Sequence, residues 1–300
     1  MISLIIPTRN RAHTLKYVAP SYFSQDLIDQ IIFVIDAGQD DTIPLVEKIA
    51  KDWSAIDLVF IVNNKRMGAS ESRNIGCAQA KNDYVMFVDD DEYLESGYAR
   101  ICLEKLKKYN AGAVSGRRIY MLEGETPQAA ISRFGIGLRG GPVFWPLICE
   151  YVNGARFRGD IEQPITNSII LTKRSLLIKF PFDSYYSRGN GYREETDYQM
   201  SLFVNNYSII VTNDTHSIHL PKTRVAKGGQ TSSIFNKIKW SIIYTNYFYN
   251  KFYAAYARRL GLHMPKTGSL MIFVIYVMYR ELIRPPIHHI AMKVLKLRSG

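Results

Sequence analysis

The residues best placed to do chemistry are three adjacent acids, Asp89-Asp90-Asp91, directly after the apolar run Tyr84–Val88. Neighbouring anions repel, and a strand end has no structural need for three. A hard divalent cation such as Mg²⁺ or Mn²⁺ would offset that repulsion and could also hold phosphate oxygens. A solvated acidic turn is the competing reading. If side chains alternate along the run, Asp89 and Asp91 point one way and Asp90 the other. Two histidines, His216 and His219, follow the apolar run Ser208–Thr212. Neutral imidazole is a competent metal ligand, while a hydrogen-bonded loop histidine is the plain alternative. The cysteines (Cys77, Cys102, Cys149) match no metal or redox spacing and read as reduced core residues.

Such groups need elements to position them, and the first 112 residues supply a regular set. Ile2–Ile6, Ile31–Ile35, Leu58–Val62 and Tyr84–Val88 are short apolar runs that read as strands. Between them, Leu15–Gln25, Thr42–Trp53 and Ala69–Lys81 have helical character. Strand–helix alternation with continuously apolar strands predicts a mostly parallel α/β sheet covered on both faces. Polar clusters fall after strands one, two and four, where open α/β sheets bind ligands. Beyond residue 112 the segments are shorter: Ala113–Tyr120, a glycine-rich loop at Gly135–Gly141, Asn167–Leu171, a helix from Glu194 to about Asn205, and a strand at Ser208–Thr212. From Ser233 the chain becomes helical, aromatic and basic. The expected organisation is one α/β domain over 1–230, divided near 112 into nucleotide-binding and acceptor-binding halves, then a helical appendage over 231–300.

Five segments together resemble the inverting nucleotide-sugar glycosyltransferases of family 2, which have the GT-A fold. They are Ile2–Leu15, Val34–Thr42, Met67–Ala80, Tyr84–Leu94 and Arg193–Phe203, in family order and with family-like spacing. The resemblance implies a nucleotide pocket lined by Pro7, Thr8 and Arg9. Asp36 would accept a hydrogen bond from the base, as a carboxylate can from a uracil imide N–H; the family's usual second Asp is Ala37 here. Arg73 and Lys65 would approach the base or diphosphate. Asp89 would bind the ribose, Asp90 would also belong to the nucleotide-sugar site, and Asp91 would ligate a Mn²⁺ or Mg²⁺ bridging the diphosphate. Inverting transfer needs a carboxylate to take the acceptor proton. Arg193–Asp197 stands where the family carries its acidic pair, so Glu195 takes the base position with Asp197 as second choice. Acids in a first helical turn also complement the helix dipole without doing chemistry. His219, in preference to His216, would complete the metal site. Lys222 and Arg224, with Lys227 beside Gly228-Gly229, would form a lid that neutralises the departing diphosphate.

The net charge of +11 is unevenly spread. Residues 222–300 hold fourteen Lys and Arg against one acid, Glu281, a net of +13; residues 1–221 hold twenty-four against twenty-six, a net of −2. A basic tail implies an anionic partner. No nucleic-acid module is present, and an acidic metal loop argues against one. Phe235–Tyr256 interleaves Tyr, Phe and Trp with Lys, a composition suited to the membrane–water boundary. Ile287, Ile290, Ala291 and Val294 form an apolar stripe with Lys293, Lys296 and Arg298 largely off it, the profile of an interfacial helix on anionic lipid. A helix packed on the catalytic domain and an oligomer interface are the rival readings. The longest apolar run, Leu270–Tyr279, has ten residues, half of what a bilayer span needs. Pro7, Arg9 and Asn10 interrupt the first apolar stretch and argue against a signal peptide.

The expectation is a metal-dependent transferase moving a sugar from a nucleoside diphosphate, UDP by preference, to a glycan or lipid-linked acceptor in surface polysaccharide or glycoconjugate synthesis. It would act peripherally on the cytoplasmic side of the cell membrane, with oligomerisation through the tail possible in principle. The rivals are a nucleotidyltransferase on a similar sheet, disfavoured because no glycine-rich basic loop follows strand one, and an inactive sugar-binding homologue.

Overall fold

The computed structural model describes residues 1–135, 141–225 and 233–283. Its first half runs β1 (Ile2–Thr8), α1 (Ala12–Phe23), β2 (Ile28–Asp36), α2 (Thr42–Ala50), β3 (Asp57–Asn63), α3 (Ala69–Gln79), β4 (Tyr84–Phe87), β5 (Glu92–Leu94) and α4 (Tyr98–Lys108). The second half runs β6 (Ala113–Tyr120), α5 (Pro127–Gly135), β7 (Phe144–Trp145), β8 (Glu150–Tyr151), β9 (Asp160–Glu162), β10 (Leu171–Lys173), α6 (Arg174–Lys179), α7 (Glu194–Val204), β11 (Ile209–His219), α8 (Lys222–Val225), α9 (Ile234–Leu260) and α10 (Lys266–Met278).

The main sheet has the order β3-β2-β1-β4-β10-β6-β11-β5, with β9 on β11. β1 to β4 are parallel; the apolar side chains of β1, β2 and β4 are buried on both faces by helices, as their uninterrupted Ile/Val/Phe runs require, while those of the edge strand β3 are half-buried, with Val62 exposed. Parallel pairing brings Thr8 level with Ile35 and Ile5 level with Phe87, so the segments after β1, β2 and β4 emerge along one sheet end. Gly76 lets α3 lie flat on this sheet, since a Cβ there would stand 2.5 Å from the Ile5 methyl.

β10 is antiparallel to both β4 and β6. That reversal has a functional consequence: the residues leading into β10, Asn167 and Ser168, arrive at the same end as the acids leaving β4. β11 is longer than Ser208–Thr212. It continues through a bulge between Thr212 and His216 and pairs with β5, placing His219 opposite Glu92. The polar Asn213-Asp214 that reads as a strand terminator is the bulge, its backbone held by Gly159 and its Asp214 carboxylate by Lys105.

α9 is packed onto the body. Tyr244, Phe248, Tyr249, Phe252, Tyr253 and Tyr256 are buried, most of them in the cluster that contains Tyr198, Met200, Leu202 and Phe203 of α7. The rings that the sequence offers to a membrane boundary are thus used internally. Lys251 reaches Asp183 and Asp197, and Arg259 donates to the Phe203 carbonyl. Cys77, Cys102 and Cys149 are buried free thiols. No helix among the described residues is long and apolar enough to cross a membrane. The glycine-rich loop except its ends, Lys227 with Gly228-Gly229, and the stripe Ile287–Val294 lie outside the described residues.

Candidate active site

Two depressions open at the ligand end of the sheet, divided by the acidic run. The smaller, about 100 Å³, is lined by Pro7, Thr8, Arg9, Asp36, Arg66, Gly68, Ala69, Ser72 and Asp90. Its parts come from the ends of β1, β2 and β4 and the start of α3. Asp36 is a fixed wall. Its Oδ1 accepts from Met67 N at 2.6 Å and its Oδ2 from Gly68 N at 3.0 Å, so the carboxylate ties down the approach to α3. Gly68 has φ +83°, and a Cβ there would collide with Ser187. Asp90 faces this cleft beside Thr8, with the Arg11 guanidinium 3.9 Å away. Burial and the Asp91 charge push Asp90 up to about 7.

The larger depression, about 360 Å³, lies across the run and includes Asp89, Arg118, Glu150, Asn153, Asn167, Ser168, Tyr192 and Glu195 among its walls. Behind its wall lies Arg73. This buried guanidinium from α3 binds Asp89 at 3.0 Å, Glu195 at 3.1 Å and Glu194. Glu194 also accepts from Ser70 at 2.9 Å, which makes it the anchor of the pair. Both line the cavity, and Glu195 is the more exposed of the two. Burial first and the neighbouring Glu194 charge second push the Glu195 carboxyl up to about 8, against the pull of Arg73. A carboxyl with a pKa near the working pH can both take and hold a proton.

Arg193 holds that helix start in place. It sits at φ +78°, bonds the Ile148 carbonyl at 3.0 Å, the Cys149 carbonyl and Thr245 Oγ1, and pairs with Glu150 at 3.0 Å. One buried guanidinium therefore ties the cavity wall at 148–150, the start of α7 and the middle of α9 together.

The third cluster lies beside Asp89 and Asp90. Side-chain ligand atoms of Asp91, Glu92 and His219 lie within 4.8 Å of one another. His219 Nδ1 is 3.0 Å from Glu92 and 3.4 Å from Asp91, and Arg118 pairs with the fully buried Glu92. Burial alone would lower His219, but Asp91 and Glu92 raise it to about 9; burial alone would raise Asp91, but His219 holds it below the usual carboxylate range. Two carboxylates and one imidazole suit Mn²⁺ better than Mg²⁺, which prefers oxygen alone.

This geometry sorts the residues singled out in the sequence. Pro7, Thr8, Arg9, Asp36 and Asp90 share one cleft, and Asp91 meets His219. His216 turns to Glu95, 2.8 Å away, because residues three apart on a strand face opposite ways. Asp89 does not face the cleft of Asp36: Arg73 and Ser168 hold it on the other side. Arg73 is likewise engaged by three carboxylates and does not line that cleft. Lys65 is exposed, and its neighbour Arg66 lines the wall instead. Asp197 is turned away from the cavity, bound by Tyr186 at 2.9 Å and Lys251 at 2.7 Å. Lys222 is exposed, and Arg224 stacks over Tyr17 at 4.5 Å. Glu92, Arg118, Ser168 and Arg193 belong to the site without having been singled out. Glu92 had a signal, being the fourth acid in the run; the others depend on tertiary pairings.

The family model described as glycosyl transferase family 2 matches residues 3–181, more than half of the chain. The chain belongs to that family. It is a glycosyltransferase, and its mixed, mostly parallel sheet with flanking helices is a GT-A-like fold. A Campylobacter jejuni GalNAc(5)-diNAcBac-PP-undecaprenol beta-1,3-glucosyltransferase is 35% identical over 105 residues, covering 35% of this chain and 34% of that one. A Borreliella burgdorferi cholesterol galactosyltransferase is 33% identical over 123 residues, 40% of this chain and 34% of its own. The match thus spans about a third of either relative. Staphylococcus aureus TarS 1–349 in complex with UDP is similar in fold, with TM-score 0.57 at 15% identity, over 95% of this glycosyltransferase and 73% of that chain.

Proposed function

We propose that this glycosyltransferase moves a sugar, with inversion, from a nucleoside diphosphate donor to an acceptor hydroxyl, and that Glu195 is the base. The observation that carries this reading is the pairing of two cavities across one acidic run. One has the polar and cationic lining a nucleotide needs, and the other is walled by Asp89, Glu150, Glu194 and Glu195, of which Glu195 is the more open member of the acidic pair on Arg73. The donor's nucleoside enters the cleft of Pro7, Thr8, Arg9, Asp36 and Asp90. Arg9 and Arg66 supply positive charge for the diphosphate. UDP is the preferred nucleotide, since TarS, of like fold, is described with UDP and with UDP-GlcNAc.

The acceptor hydroxyl sits in the larger cavity against Glu195. Glu195 takes its proton as the oxygen attacks the anomeric carbon, and the bond to the diphosphate breaks on the opposite face. Arg73 fixes the base without neutralising it alone, because Glu194 and Asp89 share the same guanidinium. The donor set of Asp91, Glu92 and His219 fits a divalent cation, which when bound would offset the charge that collects on the departing diphosphate. Asp89, held by Arg73 and Ser168, closes the boundary between donor and acceptor. The acceptor is a glycan or a lipid-linked acceptor; of the curated relatives, one is named for an undecaprenol-linked glycan and another for cholesterol. Residues 1–230 form the catalytic domain, and the basic C-terminal region brings it, peripherally, to an anionic membrane surface on the cytoplasmic side. Donor-dependent release of free nucleoside diphosphate, abolished in Glu195→Gln, tests the reading; pyrophosphate release from a nucleoside triphosphate would point to a nucleotidyltransferase instead.

A further inference from the structure

α10 is apolar on both sides, yet among the described residues only one side is covered. Ser269, Phe273 and Val277 are buried, with Ile238 and Ile242 of α9 packed around the last two. On the other side Met271 and Ile275 are 67% and 68% exposed, and Met278 and Leu282 continue the row at i+7 and i+11. A helix that is hydrophobic all round is normally enclosed. Phe235, 75% exposed at the start of α9, stands at the same end of the pair, beside the exposed Lys237 and Lys239.

We propose that the outer face of α10, with Phe235, rests on an anionic lipid surface, and that the cavity behind it takes the hydroxyl of a lipid-linked acceptor. Charge decides between lipid and a second copy of the chain. Of the seven Lys and Arg in residues 233–283, Lys237 and Lys239 are exposed beside Phe235, and the one acid there, Glu281, is paired with Arg280. Two such faces brought together would set like charges opposite one another, whereas anionic headgroups complement them.

Position decides the acceptor class. The buried side of α10 is packed directly on the acceptor cavity: Tyr192 meets Phe273 at 6.0 Å with the rings tilted, the Arg193 guanidinium lies over Phe273 at 5.2 Å, and Arg280 lies over Tyr192 at 5.6 Å. One helix, about 10 Å thick, separates the cavity wall from the exposed face. The headgroup layer of one leaflet is about 5–8 Å deep. A glycan anchored in that leaflet carries its terminal hydroxyl to about the height of Glu195.

The inference rests on the acceptor assignment above, and the test separates the two. Wild-type protein and Met271→Glu/Ile275→Glu are sedimented with vesicles of mixed phosphatidylcholine and phosphatidylglycerol, or of phosphatidylcholine alone. Binding only to the anionic vesicles is expected, weakened about tenfold or more in the double variant, with thermal stability and UDP affinity unchanged. An environment-sensitive fluorophore is then placed at Ile275→Cys, at Asn190→Cys on the cavity wall, or at Asn205→Cys at the far end of α7. Vesicles should shield the first two from an aqueous quencher and leave the third accessible. Absence of vesicle binding overturns the proposal. A probe at 275 already shielded without vesicles also overturns it, by showing the face covered by a second copy or by the chain's own C-terminal residues. Shielding at 275 with full quenching at 190 removes the lipid-linked acceptor. Failure of wild-type protein to bind UDP strikes the donor assignment and leaves the membrane face standing.

Discussion

Thr8, Asp36 and Asp90 reach their cleft from the ends of three adjacent parallel strands, whereas Glu195 reaches its cavity through a buried network of ion pairs. In the first case backbone pairing fixes position: β1, β2 and β4 pair side by side, and each side chain needs only to stand at a strand end or a few residues past it. In the second, α7 starts where Arg193 and Arg73 hold it, with Glu150, Glu194, Asp89 and Thr245 as partners from four separate segments. Strand ends tolerate loss of a side chain. A buried network does not, because removing one partner leaves the others desolvated and unpaired. The donor side should therefore lose affinity residue by residue, and the acceptor side should lose either chemistry or fold.

The largest effect tests chemistry. Glu195→Gln should cut turnover, read as donor-dependent release of nucleoside diphosphate, by about 10²–10⁴-fold, the usual worth of a general base. Calorimetric UDP affinity should stay unchanged. Next is the network. Arg193→Met leaves two carbonyls without their donor and Glu150 with the Tyr192 hydroxyl but no counter-charge, and should cost about 3–5 kcal/mol of stability, read by denaturant unfolding. Smaller again is Asp197→Asn. It should cost about 1–3 kcal/mol through Lys251 and Tyr186, with turnover reduced less than about tenfold. A loss matching that of Glu195→Gln would exchange the roles of the two acids.

The smallest effect is on pH. Glu195 is raised to about 8, so turnover should climb as pH rises toward 8 and the base ionises. Stability carries the opposite sign. Between the ordinary glutamate pKa, about 4.3, and 8 the folded chain holds a proton that the unfolded chain has released. Its contribution to stability is therefore full at low pH and falls as pH rises. Glu195→Gln should flatten that part of the pH–stability profile.

The same contrast governs what could be read from the residues alone. The first half was legible almost element by element, since each apolar run is a whole strand and each polar cluster a strand end. Asp36, Asp90 and the pairing of Asp91 with His219 are consistent with that reading. That Asp89 and Arg73 lie outside the cleft of Asp36 could not be read locally, because their partners Ser168 and Glu194 lie 79 and 121 residues away from them in sequence. β10 has three residues and reverses direction, so nothing local announces that Ser168 returns to the acids. α9 looked like a membrane helix because its aromatic face has the composition of an interface; burial against α7 uses the same rings. The proposed membrane contact rests instead on α10, whose outer residues Met271 and Ile275 are exposed.

The central claim is that donor and acceptor sites are separate and meet at the acidic run. Calorimetric titration of UDP, with and without Mn²⁺, into wild-type protein, Asp91→Asn and Glu195→Gln tests it most directly. Binding should depend on Mn²⁺, fall sharply in Asp91→Asn and remain at the wild-type level in Glu195→Gln. Equal loss in both variants, or UDP binding indifferent to both Mn²⁺ and Asp91, would contradict the division.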